Sequence, residues 1–161
     1  MYAVKKILVP IDFSDTSRAA LSAALQIASM NQGAELFVLH VEGGMEDDVD
    51  QGDSEAAGAL SRIETDEKAI LDAVELERSR CEEGGRSLPA IQVTPRVAGG
   101  EWKEVATQMV DELQIDLIVT ATHGPRGLKE RILGADSQRL LGMVTCSVMV
   151  VKPKGFPYLR D

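Results

Sequence analysis

Hydrophobic and polar positions along this chain follow two alternating patterns. Continuous runs of branched apolar residues occupy 6–11 and 35–41, and a third run occupies 115–122. Such runs are typical of parallel strands that are buried on both faces of a sheet. Between the first two runs, alanine and leucine recur at helical spacing over 19–28. The pattern therefore predicts a strand, a helix and a parallel second strand, joined as a right-handed βαβ unit.

The remaining elements are predicted from the same two periods and from their boundary residues. A long helical stretch over about 56–83 ends at Gly84 and Gly85. Residues 90–97 alternate like a third strand, and Pro95 within them indicates a sheet edge, where a missing N–H is tolerated. The pattern further predicts a helix over 102–113, a helix over 134–143 and a last strand over 146–152.

The order of these elements predicts one α/β domain. Strands and helices alternate without an internal repeat or linker, which favours a doubly wound sandwich with helices on both faces of a five-stranded parallel sheet, in the order 3-2-1-4-5. We expect the domain to span 1–152 and a C-terminal tail to span 153–161. The acidic segment 42–55 contains seven acidic residues and no lysine or arginine, and we expect it to be a mobile surface loop.

Composition and charge narrow the classes of function. A single domain of 161 residues with a formal charge of -9 is a poor partner for nucleic acid or an acidic membrane surface, since both need local positive charge. Cys81 and Cys146 are too few and too far apart for a disulfide framework or a metal site. The start of the chain lacks the pattern of a signal peptide, and no apolar run approaches the roughly 20 residues of a membrane span. We therefore expect a cytoplasmic protein without a metal site.

Ligands of such sheets bind beyond the carboxyl ends of the strands, at the topological switch point, which here is Asp12 and the segment 121–134. Gly124 follows a strand, so the backbone there can approach a phosphate, and Gly134 opens the positive end of a helix. The segment 121–139 contains four Lys or Arg residues, Arg126 among them, and only two acidic residues, so it is locally positive. We interpret the two glycines and the loop together as an anion site. Each long basic side chain, considered alone, is also consistent with a residue of a surface turn that only contacts solvent.

Three stretches of the chain resemble the universal stress protein family, of the adenine-nucleotide alpha-hydrolase-like superfamily. Family members that bind ATP carry a glycine, two residues, a glycine, nine residues, and then a glycine followed by Ser or Thr. The matching positions are Ala121, Gly124, Gly134 and Ala135, so the spacing is kept while the first glycine and the final hydroxyl are absent. The resemblance covers nearly the whole chain apart from the acidic loop and the tail, and its stretches are 6–25, 33–41 and 116–152.

The resemblance implies an adenosine pocket lined by Pro10 and Asp12, with the backbone of Val41 facing the adenine. It also implies that Ser137 supplies a second hydroxyl for phosphate. Asp136 is expected to compete with phosphate, because a carboxylate in the first turn of a helix can cap the free N–H groups itself.

Histidine adds little to this pattern. His123 is a candidate phosphate donor, and an ordinary surface histidine is an equal alternative. His40 is expected to be a partly buried strand residue.

The function expected from these features is that of a non-enzymatic stress-response homodimer that binds ATP, ADP or AMP, with Mg²⁺ only as the nucleotide's counterion. The homodimer is expected to form through the last strand, Ser147 to Lys152, and to act on a protein client that the sequence does not identify. One alternative is a dimeric interaction module whose nucleotide site has decayed. Another is a weak ATPase or phosphotransferase that uses the same loop. Motifs of P-loop, dinucleotide-binding and serine hydrolase enzymes are absent from the sequence.

Overall fold

Strands and helices alternate along the chain in the computed structural model, which describes residues 3–42, 55–121 and 135–152, with the backbone alone at 55–60 and 135–137. The elements are β1 (Lys6–Ile11), α1 (Asp15–Met30), β2 (Glu35–Glu42), α2 (Glu55–Glu83), β3 (Gln92–Gly99), α3 (Trp102–Leu113), β4 (Leu117–Ala121), α4 (Ala135–Met143) and β5 (Ser147–Val151).

The strands form one parallel sheet in the order β3-β2-β1-β4-β5, which confirms the predicted topology. Pro95 lies on β3, an edge strand, as its missing N–H requires. After β1 the chain continues to β2 and β3 on one side of β1, and it then returns to add β4 and β5 on the other side. The order in which strands are added thus reverses between β1 and β4. The carboxyl ends of β1 and β4 therefore flank the switch point.

Alternate side chains of the central strands divide the core into two layers. Ile7, Val9 and Ile11 of β1 are buried in the same apolar cluster as residues of α1 and α2. Leu8 is buried in the other cluster, with residues of α3 and α4. We call these two sides of the sheet the α1–α2 face and the α3–α4 face. The central strands are apolar at most positions because both faces of the sheet are covered by helices.

The structure corrects several predicted boundaries. The third strand runs over Gln92–Gly99 rather than 90–97, because it pairs residue for residue with all of β2, from Glu35 to Glu42. Glu42 thus belongs to β2 and Glu55 opens α2, so neither lies in a loop as predicted, and the predicted mobility of 43–54 falls outside the described residues.

At the other side of the sheet, the fourth strand begins at Leu117 rather than 115. The preceding Asp116 turns its carboxylate to the backbone: Oδ2 accepts hydrogen bonds from the amides of Lys5 and Lys6, both at 2.8 Å. The helix predicted over 134–143 is described as Ala135–Met143, and its predicted first residue, 134, falls outside the described residues. The last strand is Ser147–Val151 rather than 146–152. None of the described helices is long and apolar enough to cross a membrane.

A buried ion pair joins the two helices of the α1–α2 face. Oε1 of Glu77 on α2 accepts hydrogen bonds from Nε of Arg18 on α1 and from Nη1 of Arg80, both at 2.9 Å. The Glu77 side chain is only 7% exposed. A carboxylate this deeply buried needs such partners, because its desolvation is otherwise unfavourable.

Candidate functional site

The turn that follows β1 is built around Asp12. Its Oδ1 accepts hydrogen bonds from the amide of Ser14, at 3.0 Å, and from the Ser14 hydroxyl. Ser14 in turn is the N-cap of α1, since its Oγ accepts from the amide of Ser17 at 3.2 Å. Both contacts of the Asp12 carboxylate use Oδ1, and the residue is exposed at the carboxyl end of the sheet. The arrangement fixes the position of a carboxylate that can accept hydrogen bonds from a ligand's hydroxyl groups.

Phe13, next in the chain, has a left-handed backbone with φ of 61°. That conformation is unfavourable for a bulky side chain, and it persists where the surroundings determine it. The Phe13 ring packs against the ring of His40, with centroids 4.7 Å apart, and Nδ1 of His40 lies 3.0 Å from the carbonyl oxygen of Ile11. These contacts tie the turn to the ends of β1 and β2. His40 is half-buried on its strand, as the sequence predicted.

The structure places the other described candidates at the same end of the sheet. Pro10 lies in β1 opposite Leu39, and Val41 lies two residues further along β2. Since side chains alternate along a strand, Pro10 shares the α3–α4 face with Leu8, and Val41 packs against the cluster on that face. Ala121 is the last residue of β4, and its side chain packs against the cluster on the α1–α2 face.

The remaining candidates belong to the segment that completes the switch point. His123, Gly124, Arg126 and Gly134 lie outside the described residues, so their roles stay predictions. Ala135, Asp136 and Ser137 are the first three residues of α4, which agrees with a helix that begins at the switch point. The helix N-terminus presents free amides, which attract anions. The described structure therefore places Pro10, Asp12, Val41 and Ala121 at the same end of the sheet, the carboxyl end.

Three residues at this edge were not singled out in the sequence. Trp102 is the first residue of α3, and it packs half-buried against the same cluster as Val41. Nζ of Lys103 lies 5.9 Å from the centroid of the Trp102 ring and 3.2 Å from Oε1 of Glu101. The sequence signal was present: two glycines at 99–100 are followed by Glu101 and then by the only tryptophan of the chain, where a strand turns into a helix.

Metal chemistry receives no support from the described residues. No group of three or more His, Cys, Asp or Glu side chains within 3–42, 55–121 and 135–152 is arranged to hold a metal ion. The chemistry available at the carboxyl edge is hydrogen bonding by a carboxylate and a helix start, together with contact by apolar and aromatic side chains. This is the chemistry of a binding site for a polar molecule that also carries a flat apolar part.

The fold defines a doubly wound α/β protein, and the candidate site lies at its topological switch point. The sequence model of the universal stress protein family matches residues 3–152, and the chain belongs to that family. The universal stress protein YxiE of Bacillus subtilis is 34% identical over 150 residues, which cover 91% of this chain and 98% of the relative.

Solved structures share the fold. The universal stress protein UspA from Lactobacillus plantarum superposes with a TM-score of 0.66 at 22% identity, over 92% of this chain and 98% of that chain. A universal stress protein in complex with cAMP has a TM-score of 0.61 at 19% identity, over 93% and 98% of the two chains. A family protein from Arabidopsis thaliana with AMP bound has a TM-score of 0.54 at 20% identity, over 94% and 93%. These likenesses support the fold of the present chain.

Proposed function

We propose that this protein is a non-enzymatic adenine-nucleotide-binding protein of the stress response that acts in the cytoplasm as a homodimer and transmits nucleotide state to a protein client. One observation carries the nucleotide proposal: Pro10, Asp12 and Val41 lie at the carboxyl ends of the neighbouring strands β1 and β2. Two structural neighbours were solved with AMP and cAMP bound, which supports an adenine nucleotide as the ligand class.

Each part of the site matches one part of a nucleotide. The Asp12 carboxylate suits the donor hydroxyls of a ribose, and the backbone and side chain of Val41 suit the edge of a base. Phosphate groups fit the start of α4 and the segment before it, with Gly124, Gly134 and Ser137 as the proposed donors. Mg²⁺ enters the proposal only as a counterion of the bound nucleotide.

The homodimer part of the proposal rests on β5. This strand pairs with β4 on one side only within the described chain, and Met149 at its centre is 41% exposed. An unpaired apolar edge strand favours association with another strand. Pairing two copies of β5 about a twofold axis would provide hydrogen-bond partners for the edge strands of both copies at once.

Both cysteines are free thiols, as expected for a protein of a reducing compartment.

The nucleotide proposal is tested by calorimetry of ATP, ADP and AMP, each with and without Mg²⁺. We expect Asp12→Asn to weaken binding about tenfold, because it removes a charge-assisted hydrogen bond while its amide oxygen can keep the turn. Asp15→Asn is the matched control. Asp15 lies three residues after Asp12 and its side chain is 97% exposed, so this substitution should leave the affinity unchanged.

Three results would distinguish the alternatives. Absence of heat and of a thermal shift at millimolar nucleotide would refute the nucleotide proposal and favour a dimeric interaction module with a decayed site. Steady release of ADP from ATP and Mg²⁺ in many turnovers would show an ATPase and contradict the non-enzymatic proposal. Binding with equal loss in both aspartate variants would contradict the role given to Asp12.

A further inference from the structure

The start of α3 lies beside the residues proposed to receive the base. Ala98 of β3 is the register partner of Val41 of β2, and both side chains pack against the cluster on the α3–α4 face. The chain then turns at Gly100, whose φ of 111° is accessible to glycine, and α3 begins with Trp102. Trp102 packs against the same cluster, so its indole lies on the face that also carries Pro10 and Val41.

Two further observations concern the surroundings of the indole. Among the described residues, no atom lies within 4 Å of the position that a Cβ would occupy at Gly99 or Gly100, so these residues do not crowd the turn before Trp102. The neighbouring charge of Lys103 is paired with Glu101 at 3.2 Å, and the Lys103 side chain is only 10% exposed. The surroundings of Trp102 therefore consist of its aromatic ring and a neighbouring ion pair in which the positive charge of Lys103 is balanced by Glu101. Such surroundings suit an uncharged planar group better than a phosphate.

We propose that Trp102 is a specificity-determining residue of the nucleotide site, whose indole contacts the purine base and gives the site its preference for purines over pyrimidines. This inference rests on the proposed nucleotide binding and deepens it. The indole is half-buried, so part of its surface is exposed for contact with a base, and a purine offers a larger stacking area than a pyrimidine. Neither a motif of the sequence nor the family resemblance assigns this position to the site.

Trp102 itself provides the first test, because it is the only tryptophan of the chain and its fluorescence reports on its own surroundings. We expect AMP to change the fluorescence of the unmodified protein with the same midpoint that calorimetry gives for AMP. Ribose 5-phosphate, which has no base, should leave the fluorescence unchanged. Calorimetric binding of AMP without any change in fluorescence would overturn the inference while leaving the proposed function intact.

Substitutions at Trp102 provide the second test, with AMP and CMP as probes that share ribose and phosphate. Trp102→Leu keeps an apolar side chain without a stacking surface, and we expect it to weaken AMP about tenfold and CMP much less. Trp102→Phe keeps an aromatic ring and should recover most of the AMP affinity. Equal losses for AMP and CMP in both variants would indicate packing alone and overturn the inference.

The failure of this inference is distinct from the failure of the proposed function. If no nucleotide produces heat with the unmodified protein, the nucleotide site itself is refuted, and the specificity role falls with it. If AMP binds normally and the ratio of AMP to CMP affinity is unchanged in Trp102→Leu, only the role of Trp102 is refuted. Circular dichroism and urea unfolding of each variant establish that the compared proteins are folded.

Discussion

Nδ1 of His40 on β2 lies 3.0 Å from the carbonyl oxygen of Ile11, the last residue of β1. Because a carbonyl oxygen only accepts, the imidazole donates this hydrogen bond from Nδ1. The two residues are also register partners in the sheet, so a side chain reinforces the strand pair at the point where β1 turns into Asp12. The candidate site thus rests on two strand ends that are fixed to each other.

The start of α4 gives a prediction about phosphate. Asp136 is the second residue of this helix, where a carboxylate interacts with the same free amides as a phosphate would. We expect Asp136→Val to tighten ATP more than adenosine, by up to about 1 kcal/mol in binding free energy. Calorimetry with both ligands measures the difference, and Asp72→Val on the exposed side of α2 controls for the change in net charge. Weaker ATP binding, or equal shifts for both ligands, would contradict the competition.

The edge strand β5 gives a prediction about assembly. We expect Met149→Lys to produce monomers, because two paired copies of β5 would each place a cation in the interface. Light scattering at micromolar concentration measures the mass. Met30→Lys is the matched control: it introduces the same charge at a methionine that is 75% exposed at the end of α1, outside the strand proposed to pair, and should leave the dimer intact.

A monomeric mass for the unmodified protein would refute the dimer. That result would favour the alternative in which the C-terminal tail covers β5 with Phe156 and Tyr158. The tail lies outside the described residues, so this alternative is tested by truncation after Lys152 and a second mass measurement.

The shared oxygen of Glu77 gives a prediction about stability. Arg18 joins α1 to α2 through Glu77 and is 25% exposed, whereas Arg80 lies on the same helix as Glu77 and is 50% exposed. We expect Arg18→Met to lower the free energy of unfolding by about 1–2 kcal/mol. Arg80→Met should cost less than about 0.5 kcal/mol, as exposed pairs within a helix do. Urea unfolding compares the two variants, and equal losses would show that the link between the helices contributes nothing of its own.

Cys146 gives a prediction about pH. Burial raises the pKa of the Cys146 thiol, assisted by the carboxylates of Asp116 and Asp111, and these effects outweigh the backbone hydrogen bonds that favour the thiolate. Since the thiolate is the reactive form, alkylation by iodoacetamide should reach half its maximal rate at a higher pH in the folded chain than in urea. The Cys81→Ala variant isolates this thiol for the measurement.

The same shift contributes to folding. A raised pKa in the folded state stabilises the protein below the pKa of the unfolded thiol, and this contribution is lost as the pH rises through the folded pKa. A midpoint of alkylation at the same pH in folded and unfolded chains would show that burial leaves the thiol unchanged.

Much of the fold was determined by local pattern. β1, β2 and β4 consist mostly of consecutive apolar residues, which is typical of strands that bury both faces in a parallel sheet covered by helices. Helical spacing over 19–28 predicted α1, and the predicted bounds of α3 matched the structure. Asp12 was assigned to the candidate site because ligands of this fold bind beyond the end of the first strand, and the family resemblance added Pro10.

Other features were decided only by tertiary structure. The sequence contains no signal that Glu77 would meet Arg18, 59 positions away, because helix packing rather than local spacing brings α1 and α2 together. The strand boundaries of β3 depended on its pairing with β2. Trp102 lies on the same face of the sheet as Val41 because α3 packs across that face. Residues brought together by such packing are not related by any periodic pattern in the sequence. Local period fixes which residues are helix or strand, while the packing of the layers decides which side chains meet at the site.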